Sequence, residues 1–377
     1  MSQPNILELI KDAPVEWKAL GDIATVKTGQ AINKNMIANN PGEYPVINSG
    51  REPLGFIDHW NTDNDPIGIT TRGAGVGSVT WQEGKYFRGN LNYSVTIKDT
   101  DEITIRFLFH LLELLQSEIH ALCTFDGIPA LNASALKTLE IPIPPLAIQQ
   151  EIVRILDTMT AVTSELTSEL TAREKQYNYY RNLLLSFDKN KVEWESLGAL
   201  AENLNYMRKP VTSGLREAGE IPYYGASGIV DYVKDYIFDG DFLLISEDGA
   251  NLVARNTPIA FSISGKNWVN NHAHILKFET YAERKYVEYY LNSIDLTPYI
   301  SGAAQPKLNK KNLESIRIPN PSLPDKERIV AILDKFDTLT HSISEGLPRE
   351  IELRQQQYKY YRDLLLSFPK SEQTEVA

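Results

Sequence analysis

Tyr179-Tyr180-Arg181-Asn182-Leu183-Leu184-Leu185-Ser186-Phe187 returns as Tyr360-Tyr361-Arg362-Asp363-Leu364-Leu365-Leu366-Ser367-Phe368, 181 residues further on. Upstream the chain repeats itself at an offset of 177. Glu16-Trp17-x-x-Leu20-Gly21 recurs as Glu193-Trp194-x-x-Leu197-Gly198, and Pro129-x-Leu131-Asn132 as Pro306-x-Leu308-Asn309. Ile141-Pro142 recurs as Ile318-Pro319, and Ile152-Val153-x-Ile155-Leu156-Asp157 as Ile329-Val330-x-Ile332-Leu333-Asp334. Matches in this order mean duplication. The period is far too long for a solenoid unit, so the chain holds two copies of one domain plan.

Each copy has about 130 residues of strand-like, turn-rich sequence, then a long helical pattern. In the first helix the apolar positions run Ile148, Ile152, Ile155, Met159, Val162, Leu166, then Tyr177, Tyr180, Leu184 and Phe187. Steps of three and four make a heptad seam, interrupted by Glu169 and Arg173. Pro142, Pro144 and Pro145 fix where the helix starts. The second seam is Ile329, Ile332, Phe336, Leu339, Ile343, Tyr358, Tyr361 and Leu365, and Gly346-Leu347-Pro348 predicts a kink or short break. Two such seams predict that the helices pack on each other; the competing reading packs each helix on its own domain. Thr163-Ser164-Glu165-Leu166, Thr167-Ser168-Glu169-Leu170 and Thr171-Ala172-Arg173-Glu174 form a tetrapeptide repeat. One unit more or less changes the helix length by roughly 6 Å.

In the strand-rich parts, Thr70 to Trp81 reads as strand, glycine turn, strand, and Gly89 to Ser94 leads into a strand over Val95 to Lys98. The second copy differs in the middle, with Tyr223 to Gly228, Phe242 to Asn251 and Asn270 to His274. One scaffold carrying two loop sets predicts two recognition surfaces. The domain plan is 1–147 and 188–325 for the recognition domains, 148–187 and 326–368 for the helices, and 369–377 as a tail.

Composition narrows the function. The chain has 377 residues, 42% hydrophobic and 10% aromatic, enough for packed cores. Its one cysteine, Cys123, excludes disulfides and cysteine-only metal sites. The start MSQPNILELIKDAPVEW carries no basic segment followed by an apolar one, and the stretch from Ile105 to Leu115 is broken by Arg106, His110 and Glu113. The expectation is a cytoplasmic protein with no membrane association. The net charge is −11, with acids outnumbering bases in every segment, so any nucleic-acid contact must be local.

No catalytic constellation emerges. Gly73-Ala74-Gly75-Val76-Gly77-Ser78 has its third glycine displaced and a strand where a dinucleotide fold needs a helix. There is no phosphate loop, no nucleophile elbow and no Asn-Pro-Pro-aromatic motif. Asp65 with Glu83-Gly84-Lys85 has the order of a nuclease triplet but reads better as a solvated turn. His272 and His274 alternate as strand residues facing one way, too few for a metal.

The duplicated domains, the Ile-Pro linkers, the tetrapeptide repeat at 163–174, Glu345-Gly346-Leu347-Pro348-Arg349-Glu350, Thr71-Arg72-Gly73-Ala74-Gly75-Val76-Gly77-Ser78-Val79 and the Tyr-Tyr-Arg-x-Leu-Leu-Leu-Ser-Phe ends together resemble the specificity subunit of type I restriction–modification enzymes. The resemblance implies an α+β chain with two tandem mixed α/β target-recognition domains separated by two long antiparallel coiled-coil helices in pseudo-two-fold arrangement. It implies a non-catalytic subunit, each domain reading one half of a bipartite, asymmetric double-stranded DNA target. It further implies two methyltransferase subunits that bind S-adenosylmethionine, and two restriction-translocation subunits that use ATP and Mg, with no cofactor on this chain. The negative charge suits a subunit that holds DNA tightly only when its partners close around the duplex. A duplicated coiled-coil adaptor that binds no DNA is the alternative.

DNA contact needs cations and amides for phosphates, and Arg, Lys, Asn, Gln or Ser for base edges. In the first domain the candidates are Lys27, Thr28, Gln30 and Lys34; Thr71, Arg72, Gly73 and Gly75; and Asn90, Asn92 and Tyr93. In the second they are Arg208, Lys209, Tyr224, Ser227, Asn251, Arg255, Asn270, Asn271 and His272, with Glu247 and Asp248 nearby. Lys307, Lys310 and Lys311 form a lysine cluster suited to phosphate.

Overall fold

The computed structural model describes residues 10, 13–50, 52–188, 190–302 and 305–369, so the expected tail lies outside the described residues apart from Pro369. The first strand-rich part folds as β1 (Glu16–Ala19), β2 (Ala24–Thr28), β3 (Pro41–Ile47), β4 (Phe56–Ile57), β5 (Thr62–Asp63), β6 (Ile67–Thr70), β7 (Val79–Trp81), β8 (Lys85–Arg88), β9 (Asn92–Ile97) and β10 (Glu140–Ile143). β1 pairs antiparallel with β10 and clips the domain's ends together. The rest make two four-stranded sheets, ordered β2-β9-β6-β7 and β4-β3-β8-β5, with β3 and β8 parallel. The expected strand, glycine turn, strand is β6 to β7, whereas β9 begins at Asn92, three residues earlier than its apolar run suggests.

The second part contains β11 (Glu193–Ser196), β12 (Glu202–Asn203), β13 (Ala218–Gly225), β14 (Gly228–Val233), β15 (Phe238–Asp239), β16 (Phe242–Ser246), β17 (Ala260–Ile263), β18 (Lys266–Val269), β19 (Ala273–Lys277) and β20 (Arg317–Asn320). Its sheets are ordered β12-β19-β16-β17 and β14-β13-β18-β15, with β11 on β20 and β13 parallel to β18. Strand for strand this is the topology of the first part. The duplication therefore runs through the middle of each domain, where sequence identity is lost. Backbone pairing accepts any side chain that keeps the burial pattern. β16 shows why it reads as an unbroken apolar run: Leu243 and Ile245 pack with Tyr286, Val287 and Leu291, while Phe242 and Leu244 pack with Phe238 and Val269. Both faces are covered.

A helix of 39 residues spans Leu146–Leu184. The second helical part is split into Leu323–His341 and Leu347–Leu365, as Gly346 predicts. Gly346 has φ +84°, and a Cβ there would lie 2.3 Å from the Thr338 carbonyl oxygen. Ile343 falls in this break, 85% exposed, and is not a seam residue.

The chain forms two compact units, 1–166 with 351–377, and 167–350. In the first, Ile152 and Leu156 join Phe107, Leu108, Leu365, Leu366 and Phe368 in one core. In the second, Tyr177 and Leu185 join Tyr286, Ile329, Val330 and Leu333. Each unit thus packs the start of one helical part and the end of the other on a domain. The two helical segments within a unit run antiparallel. In the second unit Tyr177 lies against His341 and Phe336, while Leu184 and Phe187 share a groove with Asp325 and Ile329. The first helix buries Gln149, Ile152 and Leu156 near its start and the seam residue Tyr177 near its end; Ile148, Ile155, Met159, Val162 and Leu166 are only half-buried. The seam and the domain-packing face overlap, and the domain core takes the deeper share because it offers more apolar surface.

The repeated aspartate of Ile-Leu-Asp anchors this packing. Asp157 accepts from Arg106 Nε and His110 Nε2, both at 2.8 Å. Its counterpart Asp334 accepts from Tyr289 at 2.6 Å and Tyr281 at 2.8 Å.

Candidate nucleic-acid interface

In the first domain the polar loops singled out in the sequence meet at one end of the sheets. The amide of Gly29 donates to the Asn92 carbonyl at 3.2 Å, and that of Gln30 to the Arg88 carbonyl at 2.9 Å. The Thr71 amide donates to the Leu91 carbonyl at 2.9 Å. Gly29 is required for this approach, since a Cβ would stand 2.3 Å from the Gly89 carbonyl oxygen. Lys27, Thr28, Gln30, Lys34, Arg72 and Asn90 have exposed side chains, and Gly73 and Gly75 lie half-exposed beside Arg72. Among the described residues Lys27, Lys34 and Arg72 take part in no ion pair.

Thr71 and Asn92 are corrections to that set. Both are buried, at 8% and 0% exposure, with side chains that cannot reach a ligand. Asn92 Oδ1 instead accepts from Arg88 Nη1 at 2.6 Å. Tyr93 is half-buried, its hydroxyl donating to the Leu131 carbonyl at 3.2 Å. Arg88, which sequence reasoning missed, is the hub beneath the loops. It is 3% exposed, and its guanidinium donates to the carbonyls of Ile67 (3.1 Å), Tyr93 (3.0 Å) and Asp65 (2.6 Å) and to the Tyr86 hydroxyl. A buried cation is tolerable when such oxygens replace water. An isolated arginine in a strand gives no sequence signal of this.

The second domain builds the same end with other residues. Lys209 donates its amide to the Val269 carbonyl at 3.4 Å, Glu247 to that of His272 at 2.9 Å, and Asn270 to that of Tyr224 at 3.1 Å. The repeated Pro-x-Leu landmark acts as a clamp in both copies. Gly73 and Leu131 bond to Pro129 and Thr71, at 3.0 and 2.8 Å; Gly249 and Leu308 bond to Pro306 and Glu247, at 3.2 and 2.8 Å. This pairing matches Arg72 with Asp248, Thr71 with Glu247 and Ala130 with Lys307. The electrostatics therefore differ at equivalent places. Glu247 is paired with Arg208 at 2.6 Å and Lys307 at 3.2 Å, and Asp248 meets His272 at 3.0 Å.

The other second-domain candidates scatter. Ser227 and Asn271 are exposed, Tyr224 is half-buried and Asn270 is buried, its Oδ1 accepting from the His272 amide at 2.8 Å. Asn251 is tied to Thr257. Arg255 donates to the Ile294 carbonyl at 2.7 Å and lines a cleft with Tyr177, Arg181 and His341, away from the loop end. Lys310 and Lys311 ride a short helix packed near Gly198; Lys310 lies 3.6 Å from Glu314. The lysine cluster is thus divided, with Lys307 alone on the clamp.

Asp65, Glu83 and Lys85 have separate tasks. Asp65 accepts from Thr96 at 2.9 Å, Glu83 from the Trp81 indole at 2.9 Å, and Lys85 lies over Trp60. No group of three or more His, Cys, Asp or Glu among the described residues could hold a metal ion. None of the described helices is long and apolar enough to cross a membrane.

His272 and His274 do not face one way, because β19 begins between them. His272 is exposed, whereas His274 is fully buried. His274 Nε2 donates to the Leu308 carbonyl at 2.6 Å, and Nδ1 accepts from Asn205 at 2.7 Å. Burial holds its pKa below the ordinary 6.5, despite the Leu308 bond and Glu247. His110 is likewise lowered, chiefly by burial. Protons thus bind more readily to the unfolded chain. The stability these neutral imidazoles contribute is present above pH 6.5 and is lost as the pH falls through their lowered folded values. The expected result is an unfolding free energy, read from urea titrations, that falls on acidification below pH 6.5 with a slope of up to about 1.4 kcal/mol per pH unit for each imidazole. His274→Gln should flatten part of that slope in a urea titration read at several pH values; an unaltered slope counts against it.

Comparison with known proteins follows the duplication. The model of the type I restriction modification DNA specificity domain matches residues 14–173 and again 191–353. The chain is 33% identical to the EcoR124I/EcoR124II specificity subunit of Escherichia coli, over 99% of each chain. It is 35% identical to the EcoprrI specificity subunit of Escherichia coli, over 65% of this chain and 64% of that one. The crystal structure of a type I restriction–modification S subunit from M. genitalium shares the fold, with a TM-score of 0.68 at 21% identity, over 98% of this chain and all of that one.

Proposed function

The chain belongs to the family of type I restriction–modification DNA specificity subunits, and from that premise we propose how its parts divide the work. The chain is a sequence-specificity subunit with two tandem target-recognition domains, and it acts with DNA and with other subunits. In our reading the first domain reads one half of a bipartite double-stranded target and the second reads the other. The helices set the length of the unread spacer. Two methyltransferase subunits that bind S-adenosylmethionine dock on this chain, and two restriction-translocation subunits that use ATP and Mg complete the assembly in the cytoplasm. The chain itself performs no chemistry and holds no cofactor.

The observation that carries this reading is one strand topology presenting two different sets of loop-end charges. Arg72 stands where the second domain has Asp248, so the half-sites should differ. A DNA-free adaptor gives no reason for that divergence. The test is co-expression with the methyltransferase subunits and sequencing of modified bases: a bipartite asymmetric motif supports the reading, and its absence removes it.

Arg72→Ala is expected to weaken recognition of one half-site by about 1–3 kcal/mol, roughly ten- to a hundred-fold. Methylation rates on targets altered in either half measure this. Equal losses on both would contradict the assignment.

A further inference from the structure

Resting on that DNA-reading function, we propose that Glu247 is a positioning residue for the second half-site: it fixes Arg208 so that the free guanidinium nitrogen donates to an acceptor on a base edge. Arg208 Nε donates to the Asn205 carbonyl at 3.1 Å. Nη1 donates to Glu247 Oε2 at 2.6 Å and to the Ala273 carbonyl at 2.7 Å. Nη2 makes no hydrogen bond among the described residues and is not enclosed, so it is the nitrogen left for a ligand. With its side chain only 13% exposed, Arg208 cannot swing to another partner.

The bracket around it is rigid. Glu247 is 8% exposed, and its other oxygen meets Lys307 at 3.2 Å. Its carbonyl accepts from Leu308, whose own carbonyl accepts from His274. Asn205, whose carbonyl accepts from Arg208 Nε, also donates its side-chain amide to His274 and accepts from the Ile275 amide. A carboxylate at a DNA surface would ordinarily repel phosphate. Burial opposes its ionisation, but the bond from Arg208 and the neighbouring positive charges hold its pKa below the ordinary value. Lys209 is exposed, and a compact ammonium on a long stem suits phosphates. A guanidinium locked at three points suits a base edge, where direction carries the information. The first domain has Thr71 at this position, so the device belongs to one half-site only.

The experiment co-expresses wild type, Glu247→Gln, Arg208→Ala and the double variant with the methyltransferase subunits over a plasmid library of randomised targets. Glu247→Gln is expected to relax base preference about tenfold at one or two positions of the second half-site, at the same positions as Arg208→Ala. The first half-site should keep its preferences, and the double variant should resemble Arg208→Ala alone. A uniform fall in methylation with unchanged base preferences overturns the inference, as do additive effects in the double variant. Should Glu247→Gln abolish methylation, Arg208→Lys decides: relaxation at those positions supports the proposal, and unchanged preferences refute it. A wild-type chain that directs no bipartite methylation fails the underlying reading instead.

Discussion

Deleting Thr167–Leu170 is expected to shorten the unread DNA spacer by about one to two base pairs while both half-sites stay as they are. These residues lie at mid-helix, where the first compact unit ends at Leu166 and the second begins. Four residues shorten the helix by roughly 6 Å, against about 3.4 Å per base pair. At 3.6 residues per turn their removal also turns the flanking segments by only about 40°, so each keeps its face. The local loss is small. The exposed Glu169–Arg173 pair is replaced in kind, because the deletion brings Glu165 to four residues before Arg173. Removing two residues is the contrasting case, because it rotates the faces by roughly 160° and should abolish directed methylation. Sequencing of methylated sites measures both. An unchanged spacer after the four-residue deletion would refute the ruler.

Arg88→Met should cost the first domain about 3–5 kcal/mol, the scale for removing one partner from a buried charged network. The guanidinium serves three carbonyls, the Asn92 amide and the Tyr86 hydroxyl, and methionine offers none of those donors. The loops on Gly29, Thr71 and Leu91 hang from the same strand ends, so recognition by the first domain should fail with the packing. Hydrogen exchange resolved along the chain measures it: protection should fall over β6, β8 and β9 and persist over β16 and β19. Uniform loss across both domains, or none, would sink the assignment. This is a stability effect, unlike Arg72→Ala, which should leave protection intact.

Where the chain was legible in sequence, the reason is that repeated residues carry a repeated constraint. The Pro-x-Leu landmark recurs because each copy clamps its loop end with the same two backbone bonds, at Gly73 and Leu131 and again at Gly249 and Leu308. The aspartate of Ile-Leu-Asp recurs because each helix needs one acceptor for the domain it lies on, although its donors changed from Arg106 and His110 to Tyr281 and Tyr289. The heptad reading of the helices was right in period and incomplete in face. Leu156, one residue from the expected Ile155, is the fully buried one, because a helix shared between a partner helix and a domain buries a wider stripe than a seam.

By itself the sequence determined that this protein is a duplicated α+β chain with long helices between and after two dissimilar loop sets, because periodicity and ordered repetition are properties of local order along the chain. Tertiary structure alone decided that Asn92 and Asn270 turn inward, that Arg255 leaves the loop end, and that Glu247 binds Arg208 and Lys307 while Arg72 makes no ion pair among the described residues. Those outcomes depend on which distant strand ends are brought within about 3 Å of one another, and no spacing rule along the chain encodes that distance.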